Sequence, residues 1–206
     1  MPLNRVLKIT VALMLAAAIP FSCAADFLSA GGISASRVFA GPGAIDFKEV
    51  DCAYICAELG ILIGDGQGVT DAYLEKETQR FQAAILTVRL VGKEADANRY
   101  TGRDNFNDVG NLYEGGQRIT AYLRSRSAQY GWEGDGTNRL MPNDPVTAQQ
   151  FYKVLLTVLG YQANLDYPYE DTLAFAERET GMKECRYING PLINDDIAIM
   201  LVEALI

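Results

Sequence analysis

The chain contains no histidine. That excludes Ser–His and Cys–His nucleophile systems. It also excludes most zinc sites, leaving only all-cysteine or carboxylate ligand sets. Basic residues are scarce: 18 Lys and Arg stand against 26 Asp and Glu, for a formal charge of −8 and a pI of about 4.6. Nucleic acid is a poor partner for such a chain, because phosphates call for clustered cations. The apolar run from Ile9 to Ile19 ends at Pro20 and falls short of the ~20 residues a membrane span requires. Apolar residues nonetheless make up 49% of the chain and charged ones only 21%, which suits a folded core and not a disordered chain.

The N-terminus has the layout of an export signal. Arg5 and Lys8 precede the apolar run, and Ser22-Cys23-Ala24 supplies small residues for a signal peptidase. Residues 1–24 are read as a signal peptide cleaved after Ala24, with Ala25 and Ala40 as alternative sites and an uncleaved anchor as the competing reading. After cleavage no stable membrane span is expected. Cys23 also fits a lipoprotein signal, although Pro20 and Phe21 suit that pattern poorly. Residues 25–44, with Ser29-Ala30-Gly31-Gly32 and Gly41-Pro42-Gly43, read as a flexible leader. Cys52 and Cys56 share one helix face and are read as buried small hydrophobes. A disulfide from Cys185 to either stays open in an oxidising compartment.

From Ile45 onward one unit recurs three times, giving boundaries 45–100, 101–163 and a truncated 164–206. It opens with an aromatic and acidic tetrad: Phe47-Lys48-Glu49-Val50, Phe106-Asn107-Asp108-Val109 and Tyr169-Glu170-Asp171-Thr172. A helical stretch then ends at Gly60-Ile61, Gly131-Trp132 and Gly181-Met182, where glycine suits a helix C-terminus. Turns follow at Gly64-Asp65-Gly66 and Gly134-Asp135-Gly136. An amphipathic helix closes each unit, with apolar residues at i, i+3, i+4, i+7 and i+8. These are Phe151, Val154, Leu155, Val158 and Leu159 in the second unit, and Ile197, Met200, Leu201, Ala204 and Leu205 in the third. The first has Ala83, Leu86, Thr87, Leu90 and Val91, with Thr87 the polar exception. Thr147 and Gln150 form a capping box. No unit can bury its stripe alone, so the three are expected to pack stripes inward.

The order of these motifs resembles the S-layer homology family over roughly residues 45–206. The aromatic-x-Asp-Val opening, the Gly-x-Asp-Gly turn and a closing helix introduced by Ile-Thr-Arg-Ala-Glu correspond here to Phe106-Asn107-Asp108-Val109, Gly134-Asp135-Gly136-Thr137 and Val146-Thr147-Ala148-Gln149-Gln150. The resemblance implies a mainly α fold in which three helix-loop-helix repeats form a pseudo-threefold unit around a central helical bundle. It implies a secreted protein of the bacterial cell wall whose inter-repeat grooves bind secondary cell-wall polysaccharide, in many members a pyruvylated, anionic one. The family arginine falls on Arg80, with Gln79 and Gln82 beside it and Thr147 and Gln150 at the matching place in the second repeat. These five are the candidate polysaccharide-binding residues. A guanidinium at a helix N-terminus offers paired hydrogen bonds, and the backbone donors and positive helix end favour an anion. Ala148 and Asn194 replace that arginine in the other repeats. Arg80 could instead be a solvated helix-end residue, or pair with Glu75 or Glu77.

Other features have plainer readings. Trp132 fills the slot of Ile61 and Met182 and is read as core. Tyr100, Tyr113, Tyr122, Tyr130 and Tyr161 are numerous, but none is singled out. The Gly-Asp-Gly turns lack the ligand series of a calcium loop. Arg118, Arg124 and Arg126 read as a solvated basic face. No catalytic residue, metal or cofactor is assigned. The competing reading is a structural protein whose degenerate repeats bind a surface protein or copies of itself.

Overall fold

A computed structural model describes residues 50–206. The expected signal peptide (1–24, with Cys23), the leader (25–44) and Phe47-Lys48-Glu49 of the first tetrad lie outside them. The fold of the described residues is mainly α, with isolated bridges and no strand among them. The helices are α1 (Cys52–Glu58), α2 (Asp71–Leu74), α3 (Arg80–Leu90), α4 (Glu94–Asn98), α5 (Glu114–Arg124), α6 (Ser127–Tyr130), α7 (Ala148–Val158), α8 (Thr172–Thr180) and α9 (Asn194–Leu205). A 3-10 turn at Tyr169–Asp171 leads into α8. No described helix is long and apolar enough to cross a membrane.

The closing helices α3, α7 and α9 begin alike. In each, the side chain at the third helical position reaches back to the N-cap amide. Gln82 Oε1 accepts from Gln79 N (3.0 Å), Gln150 Oε1 from Thr147 N (3.2 Å) and Asp196 Oδ2 from Ile193 N (2.9 Å). Thr147 Oγ1 completes the capping box by accepting from Gln150 N.

The apolar stripes are buried as expected at their centres, but burial extends further round each helix. Ala84 and Val88, Tyr152 and Leu156, and Ala198 and Val202 are buried too. The reason is that each closing helix carries a second cover: α5 packs on α3, α8 on α7 and α1 on α9. The opening helix of one unit therefore rests on the closing helix of another, and the first described helix docks on the last. α7 also packs against both α3 and α9. Thr87, the polar exception, is buried because its hydroxyl bonds Ala83 O (2.9 Å) and accepts from Trp132 Nε1 (3.2 Å). Trp132 is accordingly core.

The segments just before the closing helices meet in a closed ring. Thr78 N donates to Leu192 O (2.8 Å), Leu192 N to Val146 O (3.0 Å) and Val146 N to Thr78 O (2.9 Å). Antiparallel bridges Glu77–Ile193, Gln79–Pro145 and Thr147–Pro191 flank these bonds. All three residues of the ring are buried, so the bonds are sealed from water.

The opening helix of the second unit is interrupted. α5 stops at Arg124 and α6 starts at Ser127. Ser125 Oγ bonds back to Tyr122 O (2.8 Å), a local bond that competes with continued helix. The Arg126 guanidinium lies over the Tyr122 ring at 4.1 Å and near Tyr100 at 5.4 Å. Arg124 lies 5.7 Å from the Phe106 ring centroid, and Arg118 pairs with Glu114. The three arginines are thus held against aromatic rings or a carboxylate, and only Arg118 fits the expected solvated face. Tyr122 and Tyr130 are core residues, and Tyr113 is exposed.

Cys52, Cys56 and Cys185 are free, buried thiols. Cys56 Sγ lies 3.7 Å from Ala198 O and Cys185 Sγ 3.5 Å from Asp196 O, so both face α9. Burial, with Asp195 adding repulsion, pushes Cys52 from 9.0 up to about 12; burial and Cys52 do the same for Cys56.

Candidate functional site

Two side chains that are charged at neutral pH are buried among the described residues, Arg80 and Glu203, each 8% exposed. They are treated differently by their surroundings. Glu203 is saturated. Its Oε2 accepts from Tyr152 OH (2.7 Å), and its Oε1 accepts from Lys183 N (2.6 Å) and Glu184 N (2.9 Å). Tyr152 OH in turn accepts from Cys185 N (3.1 Å). This carboxylate ties α7, α9 and the turn after α8 together.

Arg80 is not saturated. Its Nε donates to Leu140 O at 2.6 Å, and that is the one side-chain hydrogen bond it makes among the described residues. No described carboxylate lies within 4.0 Å of it, so the pairing expected with Glu75 or Glu77 is absent, and burial rules out a merely solvated helix end. Among the described residues, the sealed side-chain polar atoms without a partner are Arg124 Nε, Asn138 Oδ1 and Tyr167 OH. The terminal nitrogens of Arg80 are not among these sealed atoms, and they make no hydrogen bond within the described residues. Burial draws its pKa below the usual arginine value, opposed by Tyr169, Asp144, Asp108 and Asp135.

Those four residues lie close enough to act on the Arg80 charge. Asp108, the acid of the second tetrad, accepts from Leu140 N (2.8 Å) and Met141 N (2.7 Å). It clamps from one side the same loop that Arg80 holds from the other. Met141 sits at a φ of +54°, a left-handed conformation costly for a side chain of that size, so the two clamps maintain a strained backbone. Asp135 caps its own turn, accepting from Thr137 N (2.9 Å), Thr137 Oγ1 (2.7 Å) and Arg139 N (3.1 Å). Asp144 is exposed, and its carbonyl accepts from Arg80 N (2.8 Å). Tyr169 comes from the third tetrad, held by Gln149 Nε2 donating to its carbonyl (2.9 Å). Burial raises the Tyr169 hydroxyl, and the Arg80 charge draws it back.

The expectation of free backbone donors at the start of α3 is overturned. Gln79 N is taken by Gln82 Oε1, Arg80 N by Asp144 O and Phe81 N by Pro142 O (3.0 Å). The helix's own cap takes the first of these amides, and the neighbouring Pro142–Asp144 segment packs closely enough to take the other two. Gln79 is exposed beside Arg80, and Gln82 is half-buried with its oxygen in the cap. Thr147 and Gln150 cap each other at the start of α7, where the arginine position is the buried Ala148. The third such position, Asn194, is enclosed and fully engaged. Its Oδ1 accepts from Thr78 Oγ1 (2.7 Å) and its Nδ2 donates to Tyr73 O (2.8 Å).

No protein-family model matches the chain, and no curated protein matches it. The groove thus stands on its own residues. Arg80 was legible in the sequence. Asp108 and Tyr169 were quoted as motif residues without a role, because nothing in their spacing says that two tetrads from different units converge on the start of α3.

Proposed function

We propose that this protein is an exported, non-enzymatic anchor that attaches to the bacterial cell wall by binding secondary cell-wall polysaccharide. In this reading the chain carries S-layer-homology-like repeats, packed pseudo-threefold around the bundle of α3, α7 and α9. The observation that carries it is Arg80: an enclosed guanidinium that pairs with no carboxylate among the described residues and keeps its terminal nitrogens free of bonds to them. Burying a guanidinium with unmade hydrogen bonds costs stability, which is reasonable where a ligand completes those bonds. The cyclic bonds at Thr78, Val146 and Leu192 support the repeat reading, since they join equivalent positions of the three units. Binding is concentrated in one groove, because Ala148 has no donor and Asn194 has spent its own.

The test is co-sedimentation of the mature chain with purified cell walls, before and after chemical extraction of the secondary polysaccharide. Binding that vanishes with the polymer and in Arg80→Ala is the expected result. A chain that ignores intact walls yet oligomerises would replace the anchor by a self-assembling or partner-binding surface protein.

A further inference from the structure

The charge around Arg80 goes further than its position. Arg80 and Arg139 are the cations of the groove, and Asp108, Asp135 and Asp144 are its carboxylates, so the local balance is one negative charge. Their proximity is fixed by bonds. Asp144 O accepts from Arg80 N, Asp108 holds the Leu140–Met141 dipeptide that Arg80 also holds, and Arg139 Nε lies 3.9 Å from Asp108 Oδ2. A binding place for an anion would add free amides to its cation. Here the amides of Gln79, Arg80 and Phe81 are all occupied.

We infer that the Arg80 groove takes an uncharged sugar ring through neighbouring hydroxyls, and not an acidic substituent of the polymer. The inference rests on the polysaccharide reading above. A hydroxyl both donates and accepts. One can accept from the Arg80 terminal nitrogens while its neighbour donates to the Asp144 carboxylate, which makes no side-chain hydrogen bond within the described residues. Tyr169, 38% exposed, offers a ring face for the apolar side of the sugar. A carboxylate in the same place would gain from Arg80 alone and be repelled by the charge of Asp144.

The probe is a pyruvylated cell-wall polysaccharide, used intact and after mild-acid removal of its pyruvate, titrated against the full chain by calorimetry. Both forms should bind within about twofold of each other, with little change on raising salt. Asp144→Ala should weaken binding about fivefold, roughly the loss of one hydrogen bond. A preference of tenfold or more for the pyruvylated form, or tighter binding by Asp144→Ala, would overturn the inference while leaving the anchor reading intact. Failure of both forms to bind, or an Arg80→Ala variant that binds normally, removes the anchor reading and this inference with it.

Discussion

Replacing Glu203 by alanine should be among the most damaging single changes in the described chain. Three donors lose their acceptor: Tyr152 OH, Lys183 N and Glu184 N. The Tyr152 ring is fully enclosed, so its hydroxyl cannot turn to water. Lys183 and Glu184 are exposed residues, so their amides recover part of their loss. An orphaned buried group costs about 1–3 kcal/mol and removal of one partner of a buried charged network about 3–5 kcal/mol. Taking about 3–5 kcal/mol, and ~2–4 °C per kcal/mol for a domain of this size, the melting temperature should fall by roughly 6–20 °C. Thermal unfolding followed by circular dichroism, under reducing conditions at neutral pH, measures this. Tyr152→Phe and the double variant complete a cycle, which should give a coupling above about 1 kcal/mol. A Glu203→Ala protein melting within 2 °C of the parent, by roughly the conversion above, would refute the idea that this carboxylate joins α7, α9 and the turn after α8.

Further outcomes are expected. Thr78→Val should cost about 1–3 kcal/mol in a denaturant titration, because it leaves the enclosed Asn194 Oδ1 without its donor. Asp108→Ala should lower both stability and wall binding, since it frees the Leu140 and Met141 amides and lets Met141 leave its left-handed conformation; paired melting and sedimentation assays read the two losses. Gly134→Ala should destabilise by about 1–3 kcal/mol, because its φ is +82° and an added methyl would meet Arg139 O at 2.7 Å. The thiols give a pH signature. Cys52 and Cys56 ionise near 9.0 when unfolded but only at about 12 when folded, so above pH 9 the unfolded state sheds protons first. Stability should therefore fall as pH rises between about 9 and 12, and substituting both residues by alanine should flatten that fall. A thiol reagent at neutral pH should leave them unmodified until the chain is denatured.

Much of the helical framework was legible because each closing helix carries a 3.6-residue apolar period and a polar residue three places beyond its N-cap. The left-handed glycines at the ends of α6 and α8 were legible for the same local reason: Gly131 and Gly181 end helical patterns. The split between α5 and α6 was not, since it depends on a serine back-bond and on Arg126 lying over rings from two segments. At the site, Arg80 followed from its place in a motif. Its burial, its hold on Leu140 and the occupied amides of Arg80 and Phe81 did not, because the partners come from residues 60 or more positions away. Asn194 looked like a lost arginine; in three dimensions it is a substitute that trades a ligand donor for bonds to Thr78 and Tyr73.

The docking of α1 on α9 changes what the repeats mean for stability. In a linear solenoid an end unit can fray or be deleted while its neighbours persist, because each touches only the next. Here the first and last described helices cover each other, and the Thr78–Leu192–Val146 bonds need all three segments at once. Removing α9 together with Leu192 before it would strip α1 of its cover and break two of the three bonds. Such a structure should melt as one cooperative unit, and a tether pulling on the residues before Val50 would load the α1–α9 seam before it reached the ring.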